Sequence, residues 1–439
     1  MTSIPRAERS GWYYGWNIVA VCVLSQIAVI AVPLSALSLF LQPWSAELHV
    51  PISKILLIGL GGFGLGYALL SPFIGILSDK YPARLLFSMG LAGIALFSIA
   101  MSFVNAAWQI LALYAIALPV FISLSAAVTA NAVVARWFVR RRGLALGVTA
   151  FGRSMGGVVI PPIVAALAPE FGWRAIWRLS GIIIAIVIAP LVIWVLRDRP
   201  TAHDGYHYVS ETPSTTPHHA VGGASDVDWR AVFSRRNFWI LLITYLPMHA
   251  LHEVGNHTLA PIAASHGLGQ QAAGNLIAVF NLSYLSTTLV AGLLSDRFGN
   301  RLPLAALAVT TAMGGVVLAL GQTAAAVVLG IVLIGTSGGL WPLLAAAAAA
   351  EFGANGVGRA FGLLSLFLPV GIFAPSAVSK IQELTSSYAP GLIGLAAISI
   401  VGGTVCLFMR EKMSSSAGET FAPREETFVP RKDALSNAR

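Results

Sequence analysis

The sequence predicts an all-α polytopic membrane protein with twelve transmembrane helices in two six-helix, pseudo-symmetric halves. Three observations carry that prediction. Only 10% of the 439 residues are charged, 56% are hydrophobic, and mean hydropathy is +0.78. Roughly a quarter of an ordinary soluble domain is charged, so this chain lacks the surface to stay in water. Twelve apolar runs each reach the ~17–25 residues a spanning helix needs. A ten-residue pattern also recurs half a chain apart. With two cysteines, Cys22 and Cys406, both inside apolar runs, a secreted disulfide scaffold is excluded.

The runs lie at about 16–41, 54–77, 85–104, 108–134, 144–168, 173–196, 237–263, 271–294, 302–321, 325–351, 360–382 and 388–409. They are called spans 1–12. They are read as helices because lipid cannot satisfy loose backbone groups. The first run is too long for a signal-peptide core, so no cleavable signal is expected. The division is a terminal segment 1–15, a half 16–196, a linker 197–236, a half 237–409 and a tail 410–439. The linker is rich in Pro, Ser, Thr, His and Gly; its His218 and His219 read as solvated rather than metal-binding.

Charge sets the orientation. Of 27 basic residues, 22 fall on the side shared by both termini; Lys54, Arg174, Arg178 and Lys380 lie opposite, and Arg153 is within a span. The positive-inside rule puts both termini in the cytoplasm and the chain in a cell (inner) membrane.

Gly75-Ile-Leu-Ser-Asp79-Lys80-Tyr-Pro-Ala-Arg84 recurs as Gly292-Leu-Leu-Ser-Asp296-Arg297-Phe-Gly-Asn-Arg301, an offset of 292 − 75 = 217. Arg142-Gly and Arg359-Ala repeat the same offset at the starts of spans 5 and 11. The doubled motif resembles that of the major facilitator superfamily, over about residues 12–410. The stretch Arg136-Trp-Phe-x-Arg-Arg-Arg-Gly-Leu-Ala-Leu-Gly147, with Tyr14-Gly-Trp16 and Phe171-Gly-Trp-Arg174, resembles the monocarboxylate and oxalate/formate branch. The resemblance implies the major facilitator fold and a monomeric transporter. In it, Asp79, Lys80, Arg84, Asp296, Arg297 and Arg301 form a conformational latch, a carboxylate capping a neighbouring helix and pairing with Arg. Pro82 stands where the family usually has Gly.

Two full charges fall near mid-span, where charge is costly and marks function. Arg153 lies in Gly152-Arg-Ser-Met-Gly156-Gly157 of span 5. A guanidinium there suits a carboxylate, sulfonate or phosphate. The surrounding glycines resemble the span-5 motif of drug/proton antiporters, with Arg in place of its proline. Glu253 belongs to a stripe of span 7, with Tyr245, His249, His252, Asn256 and His257, within about 140° of helical arc. Glu253, aided by His249 and His252, is the candidate proton carrier; His257 lies nearer the outer end and is set aside. His252 and His257 form HExxxH, which misses the same-face zinc spacing of HExxH, so no metal site is expected. Asn281, Tyr284 and Thr288 of span 8, Gln26 of span 1 and Tyr114 of span 4 complete the candidate substrate-binding set with Arg153.

The branch's usual anion-binding charges are absent. Gln42 stands where a Lys is expected in span 1, and Tyr284 and Thr288 stand where span 8 carries an acidic-x-x-x-Arg pair. No nucleotide-binding GxxxxGK[ST] loop occurs. The expected function is secondary active, proton-coupled transport of a small organic anion or zwitterion by alternating access, without enzyme activity, cofactor or nucleic-acid partner. The expected partners are a small-molecule substrate, protons and the lipid bilayer. Efflux of hydrophobic or amphiphilic compounds is the alternative, and a transporter-like sensor the remote one.

Overall fold

The structure, a computed structural model, describes residues 13–125, 127–138, 142–198 and 232–409. The first twelve residues, most of the linker and the tail lie outside the described residues. So do the side chains of Asp79, Asp296 and Arg359. The described chain is helical from end to end. Nine helical stretches are long and apolar enough to cross a bilayer, and one of them, Leu144–Val195, holds two crossings. The remaining two of the twelve are Arg236–His257, whose polar stripe dilutes its hydropathy, and the interrupted run Leu368–Ile372 with Ala374–Thr385.

Spans 5 and 6 are two helices within Arg142–Ile183, broken at Gly172. There φ is +74°, a left-handed backbone value that glycine adopts freely. Span 7 ends at His257 and resumes as Leu259–Ser265, and Thr258 donates its hydroxyl to Val254 at 2.5 Å. Span 1 widens into a π turn at Ala31–Ser35 around Pro33. The Pro33 carbonyl accepts a 2.9 Å hydrogen bond from Tyr114.

Each half has its own anchors. In the first, Trp44, Trp173, Trp177, Phe40, Phe97 and Tyr114 pack ring to ring at centroid distances of 5.3–6.4 Å. At the end carrying the termini, Tyr13, Tyr14 and Trp16 pack on Trp137 and Phe138, and Arg197 lies 4.2 Å over the Tyr14 ring. These contacts tie spans 1, 4 and 6 together. In the second half, Phe238 of span 7 is fully buried, and Asn237 donates to Glu351 at 2.6 Å, joining spans 7 and 10.

The halves are fastened to each other at the opposite, far end. Glu383, at the end of span 11, accepts the Ser53 backbone N–H at 3.1 Å. Ser376 donates to the Ser53 carbonyl at 2.8 Å. Ser53 lies in the first turn of span 2, where helix N–H groups lack intrahelical partners, so a carboxylate from one half caps a helix of the other. Burial alone would raise the Glu383 carboxyl. The hydrogen bonds from Ser53 and the nearby Lys380 outweigh it and hold the group below the usual carboxylate range. Ala260 N–H also reaches Ser38 Oγ at 3.4 Å across the halves.

Candidate functional site

Three glycines of span 5 define the site's frame. Gly152 and Gly156 face Val23, Ile27 and Ala31 of span 1, with room for no side chain. Gly157 faces the Asn281 side chain of span 8, which in turn donates to Ile277 at 2.9 Å. Spans 5 and 8 therefore touch across the halves at Gly157–Asn281. They touch again nearer the far end, where Gly274 meets Ala165 and Pro161.

Arg153 is one helical turn from Gly157, about 40° away around the axis, and so shares its face. It lies on the terminus side of that contact. Tyr284, three residues after Asn281 on the antiparallel span 8, also lies one turn to the terminus side. Register therefore puts both on the facing sides of spans 5 and 8, on the terminus side of the Gly157–Asn281 roof. Arg153 is nonetheless exposed. Helix register thus puts Arg153 on the face of span 5 that looks toward the other half.

The opposite wall is a stack of rings. Tyr245, His249 and His252 recur one turn apart on span 7. Their centroids are 5.7 and 6.2 Å apart and their planes lie within 16° of parallel. His252 continues the wall onto span 8, 4.9 Å from Tyr284 and 5.3 Å from Phe280. Ser337 of span 10 holds His252 Nδ1 at 3.1 Å. Trp341, whose indole N–H donates to Tyr284, closes the stack 5.7 Å from His249. His252, Tyr284 and Trp341 lie deep in the bundle yet keep accessible surface. Behind the wall Gly371 of span 11 abuts the His249 ring.

Glu253 points elsewhere. Its side chain is 11% exposed, with one oxygen 3.1 Å from His257 Nδ1 and the other 3.8 Å from His249 Nδ1. It forms no ion pair with Arg153 among the described residues. His257 Nδ1 also lies 3.2 Å from the Glu253 carbonyl, which fits an Nδ1–H tautomer shared between two acceptors. Sequence reasoning set His257 aside because of its depth, and the structure makes it the nearest partner of Glu253. The signal was available: 253 and 257 are an i, i+4 pair. Both ring nitrogens of His249 and the Tyr245 hydroxyl are buried without a hydrogen-bond partner.

The other expected residues divide. Gln26 is 3% exposed with its Oε1 unpartnered, and Asn281 forms the roof. Thr288 is spent on structure: its hydroxyl is shared by the Tyr284 and Gly338 carbonyls, both at 2.8 Å, joining spans 8 and 10. The structure does not bring Tyr114 to these residues. It is fully buried in the aromatic core of the first half, its hydroxyl taken by Pro33. The described latch residues are less concentrated than the motif implies. Lys80 and Arg84 are exposed, and the Arg84 backbone N–H is capped at 3.1 Å by Asp198 from the end of span 6. Arg297 lies 5.4 Å over Phe298, and the Arg301 carbonyl faces Cys406 Sγ at 3.6 Å. Among the described residues no cluster of three or more His, Cys, Asp or Glu could hold a metal.

The profile of the Major Facilitator Superfamily matches residues 19–252 and 255–439. Curated relatives are distant. The MFS-type transporter pytF of Aspergillus terreus is 24% identical over 52% of this chain and 71% of its own. The membrane sensor protein UhpC of Salmonella typhimurium is 27% identical over 52% and 53%. Monocarboxylate transporter 11 of Homo sapiens is 26% identical over 64% of this chain and 59% of its own. The chain thus spans between about half and seven-tenths of these relatives. Among solved structures, a bacterial homologue of the human lysosomal transporter Spinster matches the fold in two inward-facing forms. The unoccupied form has a TM-score of 0.69 at 16% identity, covering 91% of this chain and 97% of that one. The occupied form scores 0.70 at 14%, covering 90% and 97%. The chain belongs to the Major Facilitator Superfamily and is a multi-pass membrane transporter, not an enzyme.

Proposed function

We propose that this member of the superfamily moves a small organic anion by proton-coupled alternating access. The observation that carries the reading is Arg153: a guanidinium beneath the interhalf roof, accessible, and free of any ion pair with Glu253 among the described residues. Holding such a charge within a span is costly unless water or a counter-anion reaches it. A cargo carboxylate supplies that partner, and Arg binds it through two parallel N–H groups.

Protonation belongs to the other cluster. Glu253, His249 and His257 form a compact group in which a proton can pass between carboxylate and imidazole over 3–4 Å. His249, with no competing hydrogen bond, is the relay toward His252 and the cavity. Cargo and proton act on neighbouring faces of span 7, so the charge of one biases the other. The far-end fastening, the positive-inside bias and the inward-facing form of the Spinster homologue support a terminus side that is cytoplasmic and open. The halves 16–196 and 237–409 then rock as a monomer in the inner membrane about the linker.

The test is transport in vesicles reconstituted with purified protein, a pH gradient and radiolabelled carboxylates. Wild type is expected to accumulate acid until the gradient collapses. Glu253→Gln should abolish gradient-driven accumulation while retaining binding. Arg153→Ala should cost on the order of tenfold or more in apparent affinity, the loss of a charge-assisted pair, and Arg153→Lys should recover it only partly. Accumulation by Glu253→Gln at the wild-type level refutes the proton role, and unchanged acid affinity in Arg153→Ala refutes the anion site.

A further inference from the structure

The cavity wall opposite Arg153 is made of flat rings, and that narrows the cargo. His252 and Tyr284 are 4.9 Å apart by centroid and both keep accessible surface. Each ring is fixed from behind, His252 by Ser337 and Tyr284 by Trp341. Fixed rings offer π faces rather than adaptable aliphatic volume. The Tyr245–His249–His252 stack holds its own planes within 16° of parallel, and Tyr284 is tilted 43° to His252. By register from the Gly157–Asn281 contact, Arg153 falls at the Tyr284 end of this wall. An aliphatic acid would satisfy the charge and leave the rings unused. A planar aromatic acid places its carboxylate on Arg153 and its ring along Tyr284 and His252, in the offset geometry that aromatic pairs prefer.

We propose that the site selects planar aromatic carboxylates, the carboxylate held by Arg153 and the ring stacked on Tyr284 and His252. This inference rests on the Arg153 reading above and adds a statement about cargo shape.

Benzoate and cyclohexanecarboxylate separate the two claims, because they share carbon count and charge and only one is flat. Benzamide is flat and uncharged. The measurement is competition of each against radiolabelled benzoate on the purified full-length protein. Benzoate is expected to bind about tenfold more tightly than cyclohexanecarboxylate, the sum of two ring contacts. Tyr284→Leu should cut the preference to about threefold, the His252 contact remaining, and Tyr284→Phe, which keeps the ring, should retain most of it. Arg153→Ala should weaken both acids alike. Equal binding of the two acids in wild type, with both dependent on Arg153, overturns aromatic selection and leaves the anion site standing. Benzamide binding as tightly as benzoate, insensitive to Arg153→Ala, overturns both. Failure of both acids to bind overturns both as well.

Discussion

Replacing Glu383 should open the far end. In this structure its carboxylate takes the Ser53 N–H, and Ser376 adds a neutral hydrogen bond to the same residue. A hydrogen bond to a charged group contributes about 1.5–3 kcal/mol and a neutral one about 0.5–1.5. The Glu383 side chain is 22% exposed, so the lower part of the range applies. Glu383→Gln keeps an acceptor and loses the charge, a change of about 1 kcal/mol or roughly fivefold in the closed-to-open ratio. Glu383→Ala removes the acceptor and should shift the ratio by about tenfold or more. Lys380, 3.2 Å from Glu383 on the same half, moves with it and does not restore closure. The assay is a spin-label distance between cysteines introduced at Lys54 and Leu384, both exposed. The native Cys22 and Cys406 are buried and stay silent. The pH dependence has a defined sign. Glu383 is held below the usual carboxylate range when closed, so its contribution is full above that range and fades as pH falls through the depressed value. The Gln variant should lose that acid response. An unchanged distance distribution in Glu383→Ala would show that this contact does not hold the far end shut.

Three further outcomes follow from the packing. Gly157→Ala drives a methyl into Asn281 and should cost about 1–3 kcal/mol by overpacking; pairing it with Asn281→Ala should restore part of the lost thermal stability, and no restoration would mean the two do not touch. Tyr114→Phe leaves the buried Pro33 carbonyl without its donor, so thermal unfolding should register about 1–3 kcal/mol while apparent substrate affinity stays put; a changed affinity would return Tyr114 to the cavity. Glu47→Gln loses the Arg174 pair at the far-end loops, whose partners are 30% and 44% exposed, so solvent screening limits the cost to under about 1 kcal/mol. Its carboxyl is held low chiefly by the Arg174 hydrogen bond, so that small stabilisation should be present at neutral pH and vanish on acidification in a thermal melt.

Much of this architecture was legible because lipid imposes it. Run length marks the spans, and charge placement gives the orientation on which the proposed function draws. The six-membered polar stripe of span 7 had to face something other than lipid, and the rings of Tyr245, His249 and His252 do form one wall. The i, i+4 relation between Arg153 and Gly157 was present in the sequence as well. What that relation means was not, because it depends on which helix meets Gly157, and Asn281 lies 124 residues away (281 − 157). The Ser53–Glu383 fastening is equally unreadable: neither residue is unusual for a helix end, and their pairing is a product of how the halves dock. Tyr114 shows the converse error. A lone phenol in an apolar span suggests a lining residue, but Tyr114 is buried in the aromatic core with its hydroxyl on the Pro33 carbonyl. The Glu253–His257 contact was missed by ranking depth above spacing.

Arg153 and Gly157 are four residues apart on one rigid helix, about 6 Å along its axis. One is the proposed grip on the cargo and the other is part of the barrier above it. Tilting span 5 away from Asn281 to lift that barrier swings the guanidinium away from Tyr284 in the same stroke. The carrier cannot unseal its ceiling while keeping its hold on the anion in the present geometry. Under the proposed function, leak and slippage would be suppressed by the stiffness of a single rod, without a separate sensor to report that the site is full.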